Sequence, residues 1–207
     1  ATASMGQAGA AHGPRLEAAR QLAACVIELA LRQGDRFGLA VIGGDGLRLV
    51  PAGAGPRQRD RCLLALQGLR AGGRWPAEAQ LSPLWERIAA GHLVLLLSDD
   101  FDAAAVALME KLSAARREVL NIQLLTDEER DFPFRGGHRF VDPETGEERT
   151  SDGAAAREDF LRRFAGARQA LHARLAAAGV RRVEYVADRP ADEPLRALFA
   201  ASPAERS

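Results

Sequence analysis

The stretch His92-Leu93-Val94-Leu95-Leu96-Leu97-Ser98-Asp99-Asp100-Phe101-Asp102 decides the fold. Its unbroken aliphatic run, without alternation, suits burial on both faces, as in a central strand of a parallel sheet covered by helices above and below. The run ends in Ser98-Asp99-Asp100. In open α/β sheets ligands lie beyond the carboxyl ends of the strands, so polar groups placed there are site candidates. Asp99 is the foremost of them. Asp100 and Asp102 have a structural alternative, capping the helix that follows.

Working outward, Gly91 closes a helix expected from about Glu78 to Ala90, with Leu81, Leu84, Trp85 and Ile88 inward and Pro83 tolerable near the first turns. Ahead of it, Ala71-Gly72-Gly73-Arg74-Trp75-Pro76 breaks a helix expected over Arg57 to Arg70. Phe37 to Ile42 and Leu47 to Val50, joined by Gly43-Gly44-Asp45-Gly46, predict an antiparallel edge hairpin. Pro14 opens a helix whose apolar residues recur at helical spacing from Leu16 to Ala30, with Gly34 just past its end. Ala1 to Gly13 reads as a loop.

Downstream, Val106, Met109 and Leu112 mark a helix and Val119 to Leu125 a strand. The alternation of helices and strands argues a parallel sheet. Thr126 to Gly137 reads as a polar loop, and the segments around Asp142-Pro143-Glu144-Thr145-Gly146 as a small exposed hairpin. A long helix over Ala154 to Ala178, a strand over Val183 to Val186 and a helix over Glu193 to Ala200 complete the chain. Residues 1–207 form one domain.

The 207 residues carry 28 basic and 28 acidic side chains, so the formal net charge is zero. Nearly all the basic residues are arginine, Lys111 being the exception, and nothing in the totals suggests a nucleic-acid partner. The longest aliphatic run, Leu93 to Leu97, falls far short of the roughly 20 residues a spanning helix needs, so no membrane contact is expected from this chain itself. Cys25 and Cys62 lie within amphipathic helical patterns and read as reduced core thiols. The expected location is the cytoplasm.

Two acceptor-rich loops, Thr2-Ala3-Ser4-Met5 and Ser98-Asp99-Asp100, are expected at one sheet edge. Oxygen ligands of this kind suit a hard cation such as Mg²⁺. Ala1-Thr2-Ala3-Ser4-Met5-Gly6 resembles the tail of the Asp-x-Ser/Thr-x-Ser metal-ion-dependent adhesion motif of von Willebrand factor A domains, and Leu96-Leu97-Ser98-Asp99 resembles their later metal-site aspartate. Four further stretches narrow the resemblance to the bacterial family called domain of unknown function fifty-eight: Gly34 to Leu39, Leu97 to Phe101, Asp127 to Pro133, and Val141 to Gly146.

The resemblance implies a von Willebrand factor A-like (Rossmann-like) α/β fold, a mostly parallel sheet with helices on both faces and an antiparallel edge hairpin. It implies a non-catalytic adaptor working with a MoxR-type AAA+ ATPase in assembly or activation of other proteins. It also implies a partial metal site at Thr2, Ser4 and Asp99, and a partner-binding face at Arg74, Asp99 and Asp100. The motif's leading Asp and the first central strand would lie upstream of Ala1, and the full-length protein could be membrane-anchored there. The family's threonine ligand is missing from Gly72-Gly73-Arg74-Trp75-Pro76, where Arg74 would repel a cation. Acidic Asp127, Glu128, Glu129 and Asp131 offer a second contact patch or a solvated loop.

The alternative is an α/β-hydrolase-like enzyme. Thr2-Ala3-Ser4-Met5-Gly6 echoes a nucleophile elbow, with Asp99 and His138 or His172 to complete a triad, although Thr2 replaces the first glycine. His12, His92, His138 and His172 lack metal-ligand spacing. Gly43-Gly44-Asp45-Gly46 leads into a strand and so supplies no helix N-terminus for a phosphate.

Overall fold

The computed structural model describes residues 2–7, 14–44, 46–141, 148–186 and 190–200. In chain order the elements are α1 (Arg15–Gln33), β1 (Phe37–Gly43), β2 (Gly46–Gly53), α2 (Pro56–Gln67), α3 (Ser82–Arg87), β3 (Leu93–Ser98) and α4 (Ala103–Ala114). They continue with β4 (Glu118–Leu125), α5 (Asp127–Asp131), β5 (Gly137–Val141), β6 (Glu148–Asp152), α6 (Gly153–Ala177), β7 (Arg181–Val186) and α7 (Asp192–Ala200). Short 3-10 turns cover Ala3–Gly6 and Glu78–Leu81.

Local chemistry sets the ends of α1. Pro14 precedes its first turn, and Gly34 follows its last at φ 76°, the left-handed conformation that glycine adopts without Cβ strain. The helix expected over Glu78 to Ala90 is shorter. It begins as a 3-10 turn and α3 ends at Arg87, after which Ile88 is already extended. The segment expected as a polar loop contains α5, whose Thr126-x-x-Glu129 capping box satisfies the first turn from both directions.

β3, β4 and β7 form a parallel sheet in that order, with Leu95 opposite Leu120 and Ile122 opposite Val183. Alternation along β4 divides the core. Leu120, Ile122 and Leu124 face a cluster built from Leu22 and Ile27 of α1, Cys62 and Leu66 of α2, and Leu198 of α7. Val119 faces the other, with Leu84 of α3, Met109 and Leu112 of α4, and Leu175 of α6. Helices therefore cover both faces, as expected. Each fully buried aliphatic side chain contributes about 1.5–3 kcal/mol.

Three further sequence expectations change. β3 is the edge of the three-stranded sheet, not a strand flanked on both sides: Leu93 is 49% exposed and the rest of the strand is half-buried. β1 and β2 pair antiparallel as a separate two-stranded sheet, yet Leu39 and Val41 of β1 share a core cluster with Leu95 and Leu97 of β3. α1 packs against both strands. The aliphatic run could not reveal this, because its composition records apolar surroundings and not hydrogen-bonded neighbours. Cys62 is buried as expected, but Cys25 is exposed, on the outer side of α1. The hairpin of β5 and β6 is antiparallel, and its turn at 142–147 lies outside the described residues.

The loop after α2 is held against the end of β1. Gly44 N–H donates to the Gly72 carbonyl at 3.1 Å, and Ala3 N–H to the Gly73 carbonyl at 3.0 Å. Gly73 has φ 65°, and a Cβ there would come within 2.4 Å of Gly44 Cα. Gly73→Ala therefore combines strain with a backbone clash and is expected to cost roughly 1–3 kcal/mol. A thermal melt checks this; an unchanged midpoint would show that the two loops do not meet.

Candidate functional site

The carboxyl end of β3 meets the Ala3–Gly6 turn through Arg15, the first residue of α1. Arg15 is 2% exposed. Nη1 donates to the Ser4 carbonyl at 2.8 Å and lies 3.5 Å from Asp99 Oδ2, while Nη2 pairs with Glu129 Oε1. Glu129 Oε2 accepts from Thr126 N–H at 2.9 Å, so the capping box of α5 is wired into the same cluster. The Phe101 ring, 51% exposed, lies over this network with its centroid 5.2 Å from Arg15 Cζ. Thr2 Oγ1 and Ser4 Oγ are hydrogen-bonded to each other at 3.0 Å.

The turn after β3 is built from its own acidic residues. Asp99 Oδ1 accepts from Phe101 N–H, Ser98 Oγ accepts from Asp100 N–H, and Asp102 caps α4 by accepting from Ala104 N–H at 2.7 Å. The capping alternative thus holds for Asp102. Asp100 sits at φ 59°, a left-handed position that Asp and Asn occupy more readily than most residues. Its carboxyl is buried; Oδ1 accepts from Asn121 Nδ2 at 3.2 Å, and Oδ2 has no hydrogen-bond partner. Burial is the main cause that pushes Asp100 up to about 7, against the opposing pull of Arg182 and the hydrogen bonds from Asn121 and Ser98.

A buried polar ladder continues from Asp100 across the sheet. Gln123 Nε2 donates to the Asp99 carbonyl at 2.9 Å, and Gln123 Oε1 accepts from Arg182. Arg182 also reaches Glu184 at 2.8 Å, and Arg168 of α6 donates to Glu184 as well. Burial alone would raise the Glu184 carboxyl; the hydrogen bonds from Arg168 and Arg182 outweigh it and hold it below its ordinary value.

Thr2, Ser4 and Asp99 come to one rim, around the Arg15 guanidinium. Mg²⁺ demands near-octahedral oxygen ligation at about 2.0–2.1 Å. The Ser4 carbonyl and Asp99 instead face Arg15, whose guanidinium offers donors only. A divalent ion about 4 Å from that guanidinium would be repelled by something on the order of 8 kcal/mol at an effective dielectric of 20. The residues present do not fit the metal. Among the described residues, no cluster of three His, Cys, Asp or Glu side chains could hold a metal ion.

Asp99 and Asp100, expected on a partner-binding face, are 3% and 7% exposed, so their side chains act inside the rim. Arg74 is exposed, in the loop whose backbone touches the Ala3–Gly6 turn. Glu129 belongs to the buried network, not to a solvated acidic patch. For the triad alternative, Ser4 is 5% exposed with its hydroxyl bonded to Thr2, His172 lies on α6, and the side chain of His138 lies outside the described residues. Arg15, Asn121, Gln123, Arg182 and Glu184 were not among the sequence candidates.

Fold and site together define an α/β domain whose strand-end rim is closed by a buried ion-pair network. The chain belongs to the family described as protein of unknown function DUF58, which matches residues 2–170. It is similar to an aerotolerance-related membrane protein from Bacteroides fragilis carrying multiple mutations to serines, at 15% identity and TM-score 0.53, covering 96% of this chain and 92% of that one. It is also similar to a conserved hypothetical protein, BatB, from Bacteroides thetaiotaomicron, at 13% identity and TM-score 0.48, covering 88% and 86%. An uncharacterized membrane spanning protein from Vibrio fischeri matches at 19% identity and TM-score 0.32, covering 98% and 95%. No curated protein matches the chain. Among the described residues no helix is long and apolar enough to cross a membrane.

Proposed function

We propose that this chain is a non-catalytic protein-binding module of von Willebrand factor A-like fold, an adaptor that docks a MoxR-type AAA+ ATPase or its client in the cytoplasm. The observation that carries this reading is the rim itself. Three separate segments, the Ala3–Gly6 turn, the Arg74 loop and the turn after β3, converge at one sheet edge, with Phe101 exposed upon it. An exposed aromatic is the kind of side chain from which interface hot spots are drawn. The non-catalytic reading is supported by the burial of Ser4 and the bond between its hydroxyl and that of Thr2.

The fold reading is supported by the split between β1 and β3. A strand lying between them, parallel to β3, would join the hairpin and the three-stranded sheet into one. The partner class follows from the family resemblance.

The test is capture of a MoxR-type ATPase by the purified protein. Arg74→Glu and Phe101→Ala each change an exposed side chain of the rim, and each is expected to weaken capture about tenfold or more, equivalent to about 1.4 kcal/mol. Unfolding curves for both variants are read alongside, since loss of the Phe101 contact with Arg15 costs about 1 kcal/mol of stability. Undiminished capture by both variants would remove the rim from the interface.

A further inference from the structure

We propose that Arg15 is the resident cation of the rim: its guanidinium permanently fills the oxygen-lined position between Ser4, Asp99 and Glu129 that a divalent metal would otherwise take. The assignment rests on convergence. A main-chain carbonyl and two carboxylates, one from each of three separated segments, point at a single buried group. Such a set, with the Thr2 and Ser4 hydroxyls alongside, is the donor chemistry of a hard cation. Here the positive charge is supplied by the chain.

The guanidinium is fixed in place from both ends. The Arg15 backbone N–H donates to the Gln7 carbonyl at 3.1 Å, while Nη1 binds the Ser4 carbonyl three residues earlier in the same segment. Arg15 is thereby clamped to the Ala3–Gly6 turn by its main chain and its side chain, and Phe101 covers it. Displacing it would require moving the start of α1. A planar fork also turns one Nη to Asp99, as an ion pair at 3.5 Å, and hydrogen-bonds Glu129 with the other, in fixed directions that a spherical ion does not impose. The rim therefore keeps its shape without metal, and any partner that engages it does so in a metal-independent manner.

The proposal stands apart from the choice of partner, because its test reads metal binding and not capture. Mn²⁺ serves as the probe, followed by titration calorimetry and by the midpoint of thermal unfolding. The wild-type protein is expected to show no saturable Mn²⁺ binding at the rim and no change in midpoint with millimolar Mn²⁺ or EDTA. Arg15→Ala is expected to gain one saturable site, and its midpoint should rise with Mn²⁺ in a manner abolished by adding Asp99→Asn. If Arg15→Ala does not fold alone, recovery of its circular dichroism on adding Mn²⁺ supports the assignment. Absence of both binding and recovery in that variant overturns it. So does saturable Mn²⁺ binding by the wild type that Asp99→Asn removes.

Discussion

Arg15→Met is expected to destabilise the protein by about 3–5 kcal/mol, the cost of leaving a buried ion pair without one partner. Methionine keeps the length and much of the apolar stem, so the loss isolates the charge and its hydrogen bonds. Two carboxylates, Asp99 and Glu129, face Arg15, and the Ser4 carbonyl would lose its donor as well. Against a total stability of about 5–15 kcal/mol, this is a large fraction of the whole. Urea unfolding measures it. The double variant Arg15→Met/Glu129→Gln should recover part of the loss, by about 0.5–3 kcal/mol relative to additivity, because one of the stranded charges is then absent. A loss below about 1 kcal/mol in the single variant would mean that the guanidinium is solvated and the rim is open. The same reasoning applies to Asp99: its replacement by alanine unpairs a buried group and is a stability variant before it is a binding variant.

The parts of this arrangement that follow local rules were legible in the sequence, and those that depend on distant pairing were not. α1 is bounded by Pro14 and Gly34 as their backbone preferences dictate, and the β1–β2 hairpin follows from its glycine turn. β3 was legible as a strand but not as an edge, since an aliphatic run meets the same apolar side chains either way. The position of Asp99 at a strand end could be read; what it touches could not. Arg15 beside Pro14 looks like a solvated residue at a helix start. One signal was present: a cation in the first turn opposes the helix dipole, so it asks for a compensating partner. Two others were present as well. Asn121 and Gln123 alternate on one face of an otherwise apolar strand, and Thr126-x-x-Glu129 has the spacing of a capping box. Both mark residues that the structure joins to the rim.

Asp100→Asn carries the second large effect, and its sign depends on pH. In the folded protein burial pushes the Asp100 carboxyl up to about 7 from its ordinary value of 3.8. The folded state therefore binds its proton more tightly than the unfolded chain. Below about pH 4 both states are protonated and Asp100 imposes no penalty. As pH rises from about 4 to about 7 the unfolded chain releases the proton first, and stability falls; above about 7 the penalty is constant. A shift of about 3 pH units corresponds to a ceiling of roughly 4 kcal/mol. Asparagine is neutral throughout, tolerates the left-handed backbone, and can still accept from Asn121 through its amide oxygen. The variant should thus match the wild type near pH 4 and exceed it by about 2–4 kcal/mol at pH 8, with the gain developing between those values. Denaturant unfolding of both proteins across this range reads the difference directly, which cancels the titration of every other group. Parallel pH profiles would place the Asp100 carboxylate in contact with water, and the buried ladder through Asn121 and Gln123 would then begin at Asp99 instead.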